Sequence, residues 1–327
     1  MKIVVTGANG FLGSWITKAL CKDHHEVFAL VRKTSDVSLL KNIPCQYSYG
    51  DVTDLESLKK AFAQADTVFH LAGMIAYRRS ERPLMEKINV TGTQNVVQAM
   101  IDCRVPKLVH ASSVAAVGAG FSPNEILNED SPFNLHKQNL GYFETKKSAE
   151  EIVMQAARDQ KLHVNILNPS TIYGFGDATK GSRKTQVKVA RGEFPFYPPG
   201  GVNVVAVEDV VQGFLRAWQI GASGERFILS SDNLLIREVF EIIAAKAQKK
   251  APSIPVPGWL IHPLGQAGDA LYKLGIESSF SSETAWTSTL YHWFDSSKAQ
   301  KVLGIKFSPA KTAIEHSVQW MIENNYA

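Results

Sequence analysis

Met1 to Gly13, MKIVVTGANGFLG, constrains the fold more than any other part of this chain. An apolar strand runs straight into Gly7, Gly10 and Gly13, and an amphipathic helix follows. In such a strand–loop–helix unit the first glycine permits the tight turn. The second lets the main chain approach a bound group, and the third lets the helix pack close to the strand. The N–H groups at the start of the helix favour an anion. In this setting the spacing GxxGxxG predicts a dinucleotide phosphate site. Its predicted contacts are Thr6, Gly7, Gly10, Phe11, Leu12 and Gly13.

Strand-like and helix-like patterns alternate through the first half. Strands are expected at Lys2–Thr6, Glu26–Val31, Cys45–Tyr49, Thr67–Leu71, Lys107–Ala111 and His163–Leu167. Helices are expected at Phe11–Cys21, Asp54–Ala63, Met85–Cys103 and Gly141–Arg158. This alternation implies right-handed βαβ crossovers and a doubly wound parallel α/β sheet of Rossmann type, with ligands at the carboxyl ends of the strands. After Pro169 the alternation fails. Gly- and Pro-rich stretches (Tyr173–Gly181, Phe194–Gly201, Pro252–Gly258) mix with helical patterns at Val207–Gln219 and Arg237–Lys249. Residues 1–170 with 203–230 are therefore assigned to the dinucleotide-binding domain. Residues 171–202 with 231–327 are assigned to a smaller C-terminal substrate lobe.

The 327 residues are 45% hydrophobic and 20% charged, with a net charge of +4. That is a globular composition. The cations are dispersed, so no nucleic-acid partner is expected. Cys21, Cys45 and Cys103 have neither metal-ligand nor disulfide-framework spacing, which fits a reducing cytoplasm. Strand one opens at Lys2, so no secretory leader is expected, and no apolar run is long enough for stable membrane insertion. The apolar stretch Ile254–Leu274, broken by Pro255, Pro257 and Pro263, is expected to be core or part of the substrate lobe, with resting on a membrane surface as the lesser alternative.

The end of strand two reads Leu30-Val31-Arg32-Lys33. An NAD-binding sheet usually places a carboxylate there to take the ribose 2′-hydroxyl. Here the chain offers a guanidinium, suited to a 2′-phosphate, with Lys33 in support, so NADP(H) is preferred and NAD(H) is second. Asp51 and Val52 follow strand three, where they either meet the adenine or serve as a turn and helix-capping Asp with an apolar neighbour. Leu71, Ala72 and Gly73 end strand four with residues that let backbone lie against a cofactor.

Ser112-Ser113 ends strand five. Tyr142 follows 29 residues after Ser113, and Lys146 stands four beyond Tyr142, on the same helix face. Tyr142 is suited to donate a proton to a carbonyl oxygen, Ser113 to bind that oxygen, and Lys146 to favour the phenolate and hold the nicotinamide ribose. These residue types predict hydride transfer coupled to proton transfer.

With these residues in view, the chain resembles the extended short-chain dehydrogenase/reductases over nearly its whole length. The motifs are TGANGFLG, GDVTD, FHLAG, NVTGTQN, ASSVAAVG, YFETKKSAEE, NPSTIYGFGD, VEDV and FDSSKAQKVLG. The resemblance implies a Rossmann domain, a C-terminal substrate lobe and a Ser113–Tyr142–Lys146 catalytic set. Ser113 is preferred to Ser112 because it lies five before Gly118. The resemblance also implies a site-supporting role for Asn89, Pro169 beside the nicotinamide, and a homodimer through Met85–Cys103 and Gly141–Arg158. The branch it resembles most is dihydroflavonol-4-reductase-like, which includes relatives of 3β-hydroxysteroid dehydrogenases. Two departures separate it from the nucleotide-sugar epimerase pattern. Val31 stands where those enzymes carry Asp, and Gly201–Val205 lacks a phosphate-binding cation.

Met74, Ile75, Tyr77, Val114, Phe175 and Phe196 are candidate pocket residues for an apolar small-molecule carbonyl, with ordinary core packing the better reading for any one of them. Arg78-Arg79 either meets an acidic substrate or is a solvated pair. The expected activity is an NADP(H)-dependent carbonyl reductase or alcohol dehydrogenase. The alternatives are an NAD-dependent nucleotide-sugar epimerase/dehydratase and a cofactor-sensing binding protein on the same scaffold.

Overall fold

A computed structural model describes residues 1–179, 183–276, 278 and 280–327. Lys180 and Gly181, at the end of the Gly-rich stretch from Tyr173, lie outside the described residues. The strands are β1 (Lys2–Thr6), β2 (Glu26–Val31), β3 (Gln46–Tyr49), β4 (Thr67–His70), β5 (Lys107–Ala111), β6 (His163–Pro169), β7 (Thr171–Tyr173), β8 (Phe196–Tyr197), β9 (Gly201–Ala206), β10 (Glu225–Leu229), β11 (Asp232–Leu235), β12 (Ile254–Pro255) and β13 (Tyr291–His292).

The central sheet has seven strands in the order β10-β6-β5-β4-β1-β2-β3, with every neighbouring pair parallel. Its strand order reverses between β1 and β4, the place where ligands bind in doubly wound folds. Side-chain alternation along β1 divides the core. Ile3 and Val5 pack on one face with Ile16, Leu20, Val210 and Phe214. Val4 packs on the other with Leu58, Phe62, Val96 and Met100. Both faces of the sheet are thus covered by helices, which is why its strands read as continuous apolar runs.

A second sheet joins β11, β9 and β13, with β7 pairing β9, and β8 pairs only with β12 among the described residues. Helices Ile236–Lys246 and Ala310–Glu323 close a separate core over this sheet, built from Val204, Phe240, Ile243, Ile314 and Val318. Because β9 belongs to the second sheet, the chain returns to the central one at the helix Val207–Ile220 and β10. Ala299, Leu303 and Ile305, late in the chain, also pack on the central domain.

Two elements depart from expectation. The helix expected at Met85–Cys103 starts at Arg82 and carries one π-helical turn, Glu86–Thr91, before continuing as Gly92–Asp102. The stretch expected to be core or part of the substrate lobe, Ile254–Leu274, contains a helix, Gly258–Lys273, running through Pro263. Of that helix only Ile261, Gly265 and Gly268 are buried. No described helix is long and apolar enough to cross a membrane.

Candidate active site

The glycine loop is shaped by close backbone contact. Gly7 has φ +67°, and a Cβ there would lie 2.6 Å from the Ala72 nitrogen. A Cβ on Gly13 would lie 2.1 Å from the Gly7 carbonyl oxygen, so the helix start is drawn hard against the turn. Gly10 is the N-cap of Phe11–Lys22, with no side-chain cap and no acidic residue in the first turn. This bare, electropositive helix end beside β4 fits a pyrophosphate. Phe11 is buried and Leu12 packs on the core.

Thr6 acts as a tie beneath the loop. Its Oγ1 accepts from the Ala72 N–H at 3.2 Å and bonds His70 Nδ1 at 2.7 Å. His70 Nε2 lies 3.0 Å from Thr93 Oγ1, which itself donates to the Asn89 carbonyl at 2.6 Å. The directions of these bonds assign the proton of a neutral His70 to Nε2. Burial, with Lys146 nearby, holds this imidazole down at about 3, so it stays neutral.

Around the cofactor groove, Arg32 and Lys33 are exposed just beyond β2. Glu26, at the opposite end, accepts from Gln46, and the Asp36 carboxylate is taken by Ser38. Asp51 Oδ1 accepts from the Thr53 N–H and hydroxyl at 2.8 and 2.9 Å, a turn role, while Asp54 caps the following helix. Val52 is buried against the helix carrying Gly92. Leu71 and Ala72 are half-buried and Gly73 is exposed. A Cβ on Gly73 would lie 3.3 Å from Asn89 Oδ1 and 3.7 Å from Lys146 Nζ. Pro169 closes β6, paired with Leu229.

Asn89 sits in the π-turn, where the extra residue re-aims a helix side chain. Its Oδ1 accepts from the Met74 N–H at 2.7 Å, and its Nδ2 donates to the Met74 carbonyl at 3.0 Å and to Thr145 Oγ1 at 3.1 Å. It fastens the end of β4 to the helix Gly141–Arg158, a buttress rather than a reacting group.

That helix carries Tyr142 and Lys146, both buried. Lys146 Nζ donates to the Ala111 carbonyl at 2.7 Å. Burial pushes its ammonium down to about 8, and the Glu150 carboxylate opposes this. Burial likewise pushes the Tyr142 phenol up, opposed by a hydrogen bond with the Ser113 side chain. Burial is the larger of these two influences, so the Tyr142 phenol is held protonated in the free protein.

The two serines do different work. Ser112 Oγ donates to Glu150 Oε2 at 2.6 Å, and Glu150 also takes Asn168 Nδ2 at 2.7 Å and Arg226 at 3.1 Å. Ser113 caps the short helix after β5, accepting from the Ala115 N–H at 3.2 Å, and turns to Tyr142. Sequence reasoning missed Glu150, although Tyr142, Lys146 and Glu150 share one helix face at intervals of four. It also missed Glu283. This buried carboxyl has its Oε1 3.6 Å from the Cβ position of Gly141, the first residue of the Tyr142 helix. Burial pushes Glu283 up to about 7, and the Gly141 N–H opposes this.

The candidate pocket residues separate. Met74 and Tyr77 pack in one cluster with Tyr142, Leu140, Leu290 and Trp286. The Tyr77 and Tyr142 rings are 6.1 Å apart edge to face. Val114 instead packs with Val117, Ile228 and Phe294. Phe175 stacks on His316, and its carbonyl accepts from Trp15. Phe196 lies on β8 against Phe194, and Ile75 is exposed. Arg78 is not solvated as a pair with Arg79: its guanidinium stacks 4.1 Å over Tyr272 and lies 3.9 Å from Asp269.

Comparison with known proteins agrees with this geometry. The sequence model of the NAD dependent epimerase/dehydratase family matches residues 3–229. A Synechocystis protein provisionally named a dihydroflavonol 4-reductase is 29% identical, over 98% of this chain and 95% of its own. The sterol demethylase protein B of Methylococcus capsulatus is 28% identical over 99% of both chains. The crystal structure of gox2253 superposes with a TM-score of 0.87 at 30% identity, covering 99% of this chain and 98% of that one. With a tight glycine turn at the switch point of the sheet and Ser113, Tyr142 and Lys146 on the neighbouring elements, the chain belongs to the NAD-dependent epimerase/dehydratase family, a group of NAD(P)-dependent oxidoreductases within the extended short-chain dehydrogenase/reductases.

Proposed function

We propose that the protein is an NADP(H)-dependent reductase of a ketone or aldehyde. The observation that carries this reading is the end of β2, where Arg32 and Lys33 are exposed, the nearby carboxylate Asp36 is engaged by Ser38, and Glu26 lies at the strand's opposite end. A guanidinium there suits a 2′-phosphate and leaves a 2′-hydroxyl without its usual acceptor. The glycine loop would hold the pyrophosphate, Asp51 and Val52 the adenine, Leu71 to Gly73 the adjoining backbone path, Lys146 the nicotinamide ribose and Pro169 the nicotinamide edge. When bound, the cofactor supplies a hydride.

The chain's own groups do the rest. Ser113 Oγ hydrogen-bonds the substrate oxygen and orients it. Tyr142, protonated through burial, passes its phenolic proton to that oxygen as negative charge develops. The Lys146 ammonium then stabilises the phenolate. Met74, Tyr77 and Trp286 exclude water from the proton transfer, which strengthens each of these interactions. The reductase name of the Synechocystis relative supports the same direction.

The test is a parallel titration of nucleotide-stripped protein with NADPH and NADH. NADPH should bind at least about tenfold tighter, about 1.4 kcal/mol, and Arg32→Ala should erase the difference. Equal or better binding of NADH, or NAD⁺ released on stripping, defeats this reading. An epimerase or dehydratase acting on a nucleotide sugar would then take its place.

A further inference from the structure

The helix Gly258–Lys273 is packed inside out. Its buried positions include Gly265 and Gly268, where a Cβ would lie 2.8 Å from Ala285 Cβ and 2.2 Å from the Phe280 carbonyl oxygen. Its large apolar side chains face away. Trp259 is 77% exposed, Leu264 44%, Leu271 42% and Leu274 76%. Trp259, Pro263, Ala267, Leu271 and Leu274 are all exposed and recur every three or four residues, which makes a continuous apolar stripe. A helix that serves only the core shows the reverse pattern, and an exposed apolar face of this kind marks a contact surface. The strand pair leading into the helix adds exposed Phe196 and Ile254.

The charges around the stripe indicate what covers it. Between Ala251 and Lys273 the only carboxylate is Asp269, and it is turned inward: it accepts from the Ser282 N–H at 3.1 Å and lies 3.9 Å from Arg78. His262 is turned inward as well, its ring 4.4 Å from that of Trp286. Exposed Lys249 and Lys250 precede the segment and exposed Lys273 ends it. A twofold contact with a second copy would bring these cations together, and between Ala251 and Lys273 no outward-facing carboxylate is there to pair them. An anionic lipid surface offers hydrocarbon to the stripe and phosphate to every one of the lysines.

We propose that Gly258–Lys273 is an interfacial helix that lies on an anionic bilayer surface. Trp259, Leu264, Leu271 and Leu274 enter the headgroup–acyl boundary, and Lys249, Lys250 and Lys273 meet lipid phosphates. Trp259 places an amphipathic ring at the level of the interface. The inner side of this helix packs on Ser282–Thr289, which carries Trp286 of the Tyr142 cluster and follows Ser281, whose hydroxyl donates to the Tyr77 carbonyl. A membrane-dissolved apolar carbonyl would reach Tyr142 from this side. That consequence rests on the reductase reading, whereas the docking does not.

The experiment is co-sedimentation of the full chain with vesicles of phosphatidylcholine, with and without phosphatidylglycerol, and sedimentation velocity of the free protein. The wild type should bind the mixed vesicles and bind phosphatidylcholine alone more weakly. The triple variant Trp259→Ser, Leu271→Ser, Leu274→Ser should lose at least about tenfold in binding, and Lys249→Glu with Lys250→Glu should weaken binding to the anionic vesicles. All five positions are exposed, so melting temperature and NADPH affinity should stay unchanged. The proposal is overturned if no vesicle binds the wild type, or if the triple variant binds as well as the wild type. It is also overturned if the triple variant only abolishes a dimer, because the face would then be a contact between copies. A loss of vesicle binding with NADPH affinity intact would count for the docking even if no carbonyl substrate were turned over.

Discussion

Lys146 should set the alkaline limit of the reaction, and Glu150 should tune it. The ammonium is buried, and desolvation lowers its pKa from 10.5 to about 8. Burial thus disfavours the charged form by about 3 kcal/mol. The folded protein therefore holds the cation below about pH 8 and loses it as pH rises through that value, while the unfolded chain keeps its proton to about 10.5. If the cation is needed, kcat/KM for reduction should fall roughly tenfold between about pH 7 and pH 9. Tyr142 does not titrate in that window, because burial raises it, and the buried His70 and His110 stay neutral. Glu283 does titrate near 7, so the profile is repeated in Glu283→Gln.

Glu150→Gln keeps an acceptor for Ser112 and removes the charge that supports the ammonium. Two unit charges about 6 Å apart on one helix face interact by roughly 3 kcal/mol at an effective dielectric of about 20. Arg226 already neutralises part of this. The alkaline limb should move below the wild type's value of about 8, costing more activity at pH 7 than at pH 6. Steady-state loss of reduced-nicotinamide absorbance, with the best substrate of a ketone and aldehyde panel, reads both limbs. A wild-type profile flat to pH 10, or a Glu150→Gln limb that stays put or moves up, would refute the reasoning.

Further outcomes follow from packing, hydrogen bonding and burial. Gly13→Ala puts a Cβ 2.1 Å from the Gly7 carbonyl oxygen, a clash no rotamer relieves. It should cost about 2 kcal/mol or more in thermal unfolding and abolish NADPH binding. Ser113→Ala should lower turnover by about a hundredfold with little change in melting temperature. Ser112→Ala, which takes a donor from buried Glu150, should do the opposite. Because Glu283 is raised from 4.5 to about 7, its contribution to stability is full below 4.5 and is lost as pH rises through 7. In Glu283→Gln the melting temperature should lose that pH dependence.

The first half of the fold was legible because each unit there is locally consistent. β1, β2 and β5 and the helix Gly141–Arg158 appear with the boundaries their apolar runs and periodicity predict. The glycine loop was legible because its chemistry is backbone chemistry, fixed by the residue type itself. The second sheet was not, since its strands include two-residue pieces and a β9 whose partners come from later in the chain. The π-turn at Glu86–Thr91 leaves no periodic signature, yet it is what aims Asn89 at Met74. Pocket residues were legible only as apolar. Whether Val114 faces Tyr142 or Phe294 depends on the turn after β5, and it faces Phe294. The exposed face of Gly258–Lys273 was not legible for a related reason: apolar content signals burial only when a partner surface exists within the chain.

The central claim is net hydride transfer to a carbonyl with Tyr142 as the proton donor. The most direct measurement gives the protein NADPH carrying deuterium at the nicotinamide C4 and follows the label into product, for the wild type and Tyr142→Phe. The account predicts a deuterated alcohol formed in step with NADP⁺ by the wild type, and loss of that turnover in Tyr142→Phe with NADPH still bound. Product formed without net cofactor oxidation, or full turnover by Tyr142→Phe, would contradict it.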